Sequence, residues 1–366
     1  MPRARVCLNM IVKDELHVIA RCFASVLPFI DTWAIIDTGS SDGTQRAIVE
    51  YFAGVGKPGV LEERPWKDFG TNRTEALELA RGRADYTLII DADEVFEVPD
   101  GFAWPQLRGD AYQILHRSGQ TETHFWLTKL VRSALPWRYV GVLHEALQCS
   151  EAHRVERLEG PLIHGLFDSA RNRLSQEEKY TRDARVLEAA LEKEPNNARY
   201  VFYLGQSWRD ARQYDNSLAA YRRRASMEGW EEEGWYAQFQ VARCLEHLGR
   251  RAEAIAAYLA AYQRRPTRAE PLCDLARMHR ESGDFFVAYL FAKTADEIAR
   301  PDDTLFVDDA VYRWRSRDER SIAAYWTGRY AECADLSRRL LDGELLPTRQ
   351  RERVQKNLRF ALDKLA

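Results

Sequence analysis

The sequence predicts two architectures in one chain. Residues 1–170 read as an α/β domain with a mostly parallel sheet, and residues 171–366 as an all-α solenoid. Three observations carry this. Short apolar runs alternate with helical-period segments through the first part of the chain. An acidic motif, Asp91-Ala92-Asp93-Glu94, directly follows the apolar run 86–90. Gly249, Ala254 and Ala261 recur as Gly283, Ala288 and Ala295, each 34 residues further on.

The elements follow in order. Residues 5–12 form a short apolar strand. Residues 13–27 carry Leu16, Ile19, Ala20, Phe23 and Leu27 at helical spacing, and Pro28 ends that helix. A buried strand spans 33–37. The turn 38–44 is built from Thr, Gly, Ser and Asp, which tolerate unusual backbone angles. A helix over 45–52, a strand over 60–64, a helix over 73–80 and a strand over 86–91 complete the alternation. Strand–helix–strand at this spacing makes a parallel sheet with crossover helices. Strands over 111–116, 123–132 and 137–148 are expected from their aromatic and β-branched residues. Residues 168–179 are polar and read as the junction.

Composition narrows the function classes. The 366 residues are 45% hydrophobic and 30% charged, with net charge −3, so no global pull toward nucleic acid or acidic membranes exists. No apolar run approaches a membrane span, and Asn9 and Lys13 interrupt the stretch that a secretory signal would need. Cys7, Cys22, Cys149, Cys244, Cys273 and Cys333 are scattered without a Cys-x-x-Cys pair, as in buried thiols of a reducing cytosol. A cytoplasmic protein without structural zinc is expected. Gly-x-Gly-x-x-Gly and Gly-x4-Gly-Lys-Ser/Thr are both missing, which disfavours Rossmann dinucleotide binding and P-loop ATPase activity.

Three strand exits converge on one crevice: Ile11–Lys13, Asp37 with its glycine turn, and Asp91–Asp93. Ligands of open α/β sheets bind at that edge. Hard divalent ions take oxygen ligands and bridge carboxylates to phosphates, so Asp-x-Asp there points to a metal-bound diphosphate. Asp37 could accept hydrogen bonds from a nucleobase or ribose, or cap the turn. Lys13 or Arg73 could neutralise a diphosphate.

Four stretches resemble a family 2 glycosyltransferase of the GT-A fold, the nucleotide-diphospho-sugar transferase fold with a Rossmann-like, mostly parallel sheet. They are Cys7-Leu-Asn-Met-Ile-Val-Lys-Asp-Glu15, Ile35-Ile-Asp-Thr-Gly-Ser-Ser-Asp-Gly-Thr44, Asn72-Arg-Thr-Glu-Ala-Leu-Glu-Leu-Ala-Arg-Gly82 and Leu88-Ile-Ile-Asp-Ala-Asp-Glu94. The resemblance implies a nucleotide sugar donor, commonly uridine-linked, with Mn²⁺ or Mg²⁺. It places Ile11, Lys13, Asp37, Arg73 and Asp91 around the nucleotide; Asn72, at the end of the loop leading into the Arg73 helix, and Ala92, between the two acids, are further candidates for nucleotide contact. It makes Asp93 a direct metal ligand, Asp91 a ribose or metal contact and His164 a late histidine completing the metal site. The family often has two acids before Gly-Ser; the second position here is Thr38.

Transfer with inversion needs a base for the acceptor proton, and a carboxylate is the usual choice. Glu145, in Val142-Leu-His-Glu-Ala146, is the candidate, with His144 as support or replacement. Asp110, Glu122 and Asp168 are weaker candidates. Trp66 or Phe69 could shield the nucleotide, and Trp126, Trp137 and Tyr139 could stack on a sugar.

The second half resembles tetratricopeptide repeats. Pro266 and Pro301 stop the second helix of each pair. Leu204-Gly205 with Trp208, Ser217 and Tyr221 marks an earlier repeat, and Gly328 with Cys333 a degenerate last one. Arg222–Arg224 and Arg313–Arg317 are expected on solvated helix faces. The whole reads as a metal-dependent inverting glycosyltransferase acting on a protein, peptide or glycan acceptor, which the repeats could hold. The rival is an interaction scaffold whose first domain binds nucleotide without turnover.

Overall fold

The computed structural model describes residues 3–119, 124–343 and 345–366. The chain divides into two compact units, Met1–Ala190 and Leu191–Ala366. The junction expected after residue 170 falls inside the first unit.

The first unit is built on a mixed sheet. Its strands are β1 (Val6–Val12), β2 (Thr32–Asp37), β3 (Gly59–Glu63), β4 (Tyr86–Ile89), β5 (Glu94–Glu97), β6 (Ala111–Ser118), β7 (His124–Arg132), β8 (Trp137–Val140), β9 (Ala146–Cys149) and β10 (Val155–Gly165). Eight of them form one sheet in the order β3-β2-β1-β4-β7-β6-β10-β5, and β8-β9 form a separate hairpin. β3, β2, β1 and β4 are mutually parallel. β7 runs antiparallel to both β4 and β6, and β10 runs parallel to β6. β2 is buried along its whole length and β1 is nearly so, which is why both read as continuous apolar runs rather than alternating ones. Chain order reverses at β1, with β2 on one side and β4 on the other. A crevice therefore opens at their carboxyl ends.

Helices α1 (Ile19–Val26), α2 (Thr44–Gly54) and α3 (Phe69–Ala80) cover the parallel half. α1 begins later than its apolar spacing predicts. Asp14 adopts a left-handed φ of 58°, and the N–H groups of Asp14, Glu15 and Leu16 are taken by Ser40 Oγ, Thr44 Oγ1 and Asp42 Oδ2. The β1 exit is thus pinned to the glycine turn and cannot enter a helix until Ile19. α3 begins earlier than expected because the Asp68 carboxylate caps it, accepting from Thr71 N at 2.7 Å. Phe52 packs between Phe23 and Trp33 in the core beneath α1 and α2. The strand expected over 137–148 is broken: Gly141 (φ 109°) and His144 (φ 52°) turn the chain, so the His-Glu pair lies in a loop between β8 and β9.

α4 (Gln176–Lys193) follows the sheet. The second unit contains α5 (Ala198–Asp210), α6 (Tyr214–Ala225), α7 (Glu231–His247), α8 (Arg251–Arg264), α9 (Glu270–Glu281), α10 (Phe285–Glu297), α11 (Ser316–Trp326), α12 (Tyr330–Asp342) and α13 (Thr348–Asp363). The predicted repeat is visible in its details. Gly249 and Gly283 take left-handed φ values of 72° and 79° in the α7–α8 and α9–α10 turns, and Gly328 (φ 77°) does the same between α11 and α12. Arg212 (φ 57°) holds the matching place between α5 and α6. Ala254, Ala261, Ala288 and Ala295 are fully buried where paired helices touch. The basic runs are not simply solvated: Arg224 is buried against Glu233 and Trp230 O, and Arg315 pairs with Asp274 and Asp308. The segment between α10 and α11 packs Phe306 onto Phe202 and Tyr236. All six cysteines are unpaired, and all but Cys149 are buried.

Gly205 is where two helices come closest in the first pair; a Cβ there would lie 2.8 Å from the Tyr221 ring. Gly205→Ala should therefore destabilise the second unit by about 1–3 kcal/mol through overpacking, against the gain that alanine brings to a helix. Chemical denaturation measures this; an unchanged or raised midpoint would refute it.

Candidate functional site

The crevice at the β1 and β4 exits is a cleft of about 820 Å³. Its lining includes Ile11, Lys13, Glu15, Thr38, Trp66, Phe69, Arg73, Asp91, Ala92, Asp93, Glu94, His144 and Glu145. A second wall comes from residues 165–186, so the supposed junction is part of the cleft.

Arg73 is the hub. It sits one turn into α3, largely buried, and its guanidinium meets Asp91 at 2.8 Å and Glu145 at 2.9 Å. Tyr139 lies beneath it, 5.7 Å from ring centroid to guanidinium carbon. The geometry follows from how the β8–β9 loop docks on α3. Gly70 has no side chain, and the Gly141 carbonyl fills the place a Cβ would take. Phe69 N donates to Val142 O at 3.2 Å, and Tyr139 N donates to Thr74 Oγ1 at 2.9 Å. Asn9, buried in β1, ties α3 to the sheet by donating to Ala76 O and Ala34 O.

The acids of the cleft are tuned apart. Burial pushes the Asp91 carboxyl up, but Arg73 and then Lys129 outweigh it and hold it well below the usual carboxylate range. Asp93 is shifted upward by burial and by Asp91, and it accepts long hydrogen bonds from Ser169 N at 3.3 Å and Asn172 Nδ2 at 3.4 Å. Glu15 is pushed up to about 7 by burial, then by Asp93 and Asp91. Glu145 is raised by burial, with Arg73 opposing. Glu94 accepts from Lys129 Nζ at 3.0 Å and lies 2.9 Å from His116 Nε2; with Asp91 N it forms a buried network beneath the cleft.

Several residues named from the sequence stand elsewhere. Asp37 is fully buried, and its Oδ1 accepts from Gly39 N, Ser40 N and Gln45 Nε2. Its Oδ2 is buried without a hydrogen-bond partner. Asn72 staples the 65–69 loop, bonding Lys67 N, Pro65 O and Glu75, and does not line the cleft. His164 engages Glu97 at 3.0 Å and Arg117 at 2.9 Å. Strand side chains alternate faces, so Gly165, not His164, reaches the cleft. Asp110 pairs with Arg132 and Asp168 with Arg21. Glu122 lies outside the described residues. Trp137 is buried in the core, and Trp126 carries Arg157 over its ring. Trp66 and Phe69 do line the cleft, edge to face at 4.8 Å.

Glu15, Lys129, His116, Asn172 and Lys179 were not singled out from the sequence. Only Glu15 left a signal, since Lys13-Asp14-Glu15 puts three charges at a strand exit. Among the described residues no three His, Cys, Asp or Glu side chains converge as a ready-made metal site. A divalent ion would nonetheless suit Asp93, whose proton affinity is raised by burial and by the charge of Asp91, an imbalance that a bound cation would relieve.

Residues 7–100 match Glycosyl transferase family 2. The chain thus carries a glycosyl transferase family 2 domain at its N-terminus, followed by a tetratricopeptide-like helical region. It is 31% identical over 220 residues to a TPR repeat-containing protein of Synechococcus elongatus, covering 55% of this chain and 52% of that protein. The chain therefore spans about half the length of this relative. Among solved structures, it is similar to a tetratricopeptide repeat protein from Parabacteroides merdae (17% identity, TM-score 0.39, 51% of this chain and 69% of that one). It is also similar to the C-terminal part of a TPR repeat-containing protein from Cytophaga hutchinsonii (17%, 0.39, 50% and 71%). No described helix is long and apolar enough to cross a membrane.

The raised Glu15 carboxyl has a consequence for stability. Its folded form holds a proton that the unfolded form, near 4.5, has lost, so stability declines as pH rises from about 4.5 to about 7. Glu15→Gln should stabilise the first unit at pH 8 by up to about 3 kcal/mol and have little effect at pH 4. Denaturation at both pH values tests this; an equal shift at each would contradict it.

Proposed function

We propose that the first unit transfers a sugar from a nucleotide diphosphate sugar, uridine-linked, to a protein, peptide or glycan acceptor, with inversion at the anomeric carbon. The observation that carries this reading is the Asp91–Arg73–Glu145 arrangement beside Asp93 at the reversal point of the sheet. One carboxylate is held ionised, one is free to meet a cation and one is poised to take a proton.

Asp93, with Asp91, would hold Mn²⁺ or Mg²⁺. Such an ion neutralises a leaving diphosphate as charge develops on it. Ile11, Lys13 and Ala92 border the cleft where the nucleotide would lie. Glu145 takes the proton from the acceptor hydroxyl as that oxygen bonds to the anomeric carbon and the bond to the diphosphate oxygen breaks. Its elevated proton affinity suits a base, while Arg73 favours the ionised form. His144, in the same loop, faces the cleft. We assign catalysis to the first unit, including the cleft wall contributed by residues 171–186, and acceptor presentation to the helical repeats that follow.

Calorimetry with uridine diphosphate and Mn²⁺ tests the donor half. Asp93→Ala should weaken binding at least about tenfold, the worth of one charged contact, and unchanged affinity would count against the metal assignment. Glu145→Gln should cut turnover by about 10²–10⁴-fold, as loss of a general base does, while donor binding persists. Near-normal turnover would remove Glu145 from the reaction. The wild-type kcat/KM should rise with pH through a value above the ordinary glutamate range, because a protonated Glu145 cannot act.

A further inference from the structure

The cleft wall that bears Asn172 also carries Arg171, Lys179, Arg182 and Asp183, and among the described residues its lysine forms no direct ion pair. Arg171 and Lys179 are partly buried, and Arg182 is exposed. Arg171 is already matched, forking onto Asp183 at 2.6 and 2.7 Å. Lys179 differs. Its Nζ donates to the neutral amide oxygen of Asn172 at 2.7 Å, and among the described residues no carboxylate forms an ion pair with it. Burial and then the neighbouring Arg171 pull its proton affinity down, and the charges of Asp183 and Asp93 offset them only in part. A partly buried ammonium with no carboxylate in direct contact is under-compensated, and a bound anion would stabilise it.

The Asn172 amide stands between this cation and the acid floor. Its oxygen faces Lys179, and its nitrogen faces Asp93 at 3.4 Å and Ser169 Oγ at 2.9 Å. Lys179 and Asp93 are thus held on either side of one amide along a single cleft wall. Arg182 is three residues from Lys179, on the same face of α4, and also lines the cleft. A ligand bearing phosphate would meet a cation bound at Asp93 on one side and these two side chains on the other.

We propose that Lys179 and Arg182 bind the terminal phosphate of a nucleoside diphosphate, so that α4, outside the family-matched segment, completes the donor site. This rests on the donor reading above. Lysine supplies a compact charge and arginine a planar fork, both suited to phosphate oxygens.

The test is calorimetry on the full chain with Mn²⁺, comparing uridine diphosphate with uridine monophosphate. The wild type should prefer the diphosphate at least about tenfold, and Lys179→Met should erase about tenfold of that preference while leaving the monophosphate within about twofold. Lys179→Arg should restore most of the preference, and Arg182→Gln should lose severalfold. Equal weakening of both nucleotides by Lys179→Met would mean a merely structural lysine and overturn the proposal, as would an unchanged preference in both the methionine and glutamine variants. If Lys179→Met does not fold, Arg182→Gln, at an exposed position, decides. A wild type that binds both nucleotides equally sinks this inference alone. A wild type that binds neither sinks the donor reading itself.

Discussion

The first unit depends on one buried guanidinium. Arg73 joins Asp91 at the end of β4 to Glu145 in the β8–β9 loop, and so ties the parallel sheet to the separate hairpin. Without it two partly buried carboxylates would face one another uncompensated, which is costly in a poorly solvated site. Arginine is suited to this place because its planar, permanently charged fork can satisfy two carboxylates at once. The interaction needs the hairpin loop to approach α3 closely, and that approach needs Gly70: the Gly141 carbonyl occupies the volume a side chain would require.

Around this hub the cleft sorts its acids by environment. Glu94 is deepest and is compensated by Lys129 and His116. Asp91 is compensated by Arg73. Asp93 and Glu15 accept from backbone and amide N–H groups of the 169–172 segment, and their proton affinity rises, as does that of Glu145 despite Arg73. The result is a gradient from neutralised charge beneath the floor to unneutralised charge at its surface. Such separation of neighbouring titrating groups marks sites that handle cations and protons. The opposite imbalance, at Lys179, lies on the far side of the Asn172 amide from Asp93.

The second unit obeys a different constraint. Each helix pair buries an apolar face only against its neighbours. Small residues at the contacts, Gly205 beneath Tyr221 and the four repeated alanines, set how near the helices come. Left-handed turns at Gly249, Gly283 and Gly328 reverse the chain tightly. Arg212 shows that the turn conformation, not glycine itself, is what repeats. Between α10 and α11 the period is interrupted by a segment anchored through Phe306 and the buried Arg268.

Periodicity is written locally, so the sequence by itself determined the parallel strand–helix alternation, the helix-pair repeat and the three strand exits that bound the cleft. Asp91 and Asp93 were legible because both follow one apolar strand. Their contacts were not. Whether Asn72 faces a ligand or staples a loop depends on the path of residues 65–69. Whether His164 reaches the cleft depends on which face of β10 it occupies. That Glu145 meets Arg73 depends on a turn at Gly141 that broke an expected strand. Lys129, His116 and Lys179 lie far from the acidic motif in sequence, and only folding brought them near it. Tertiary structure decided these matters because charge compensation acts through space, between groups whose separation along the chain carries no information about their distance.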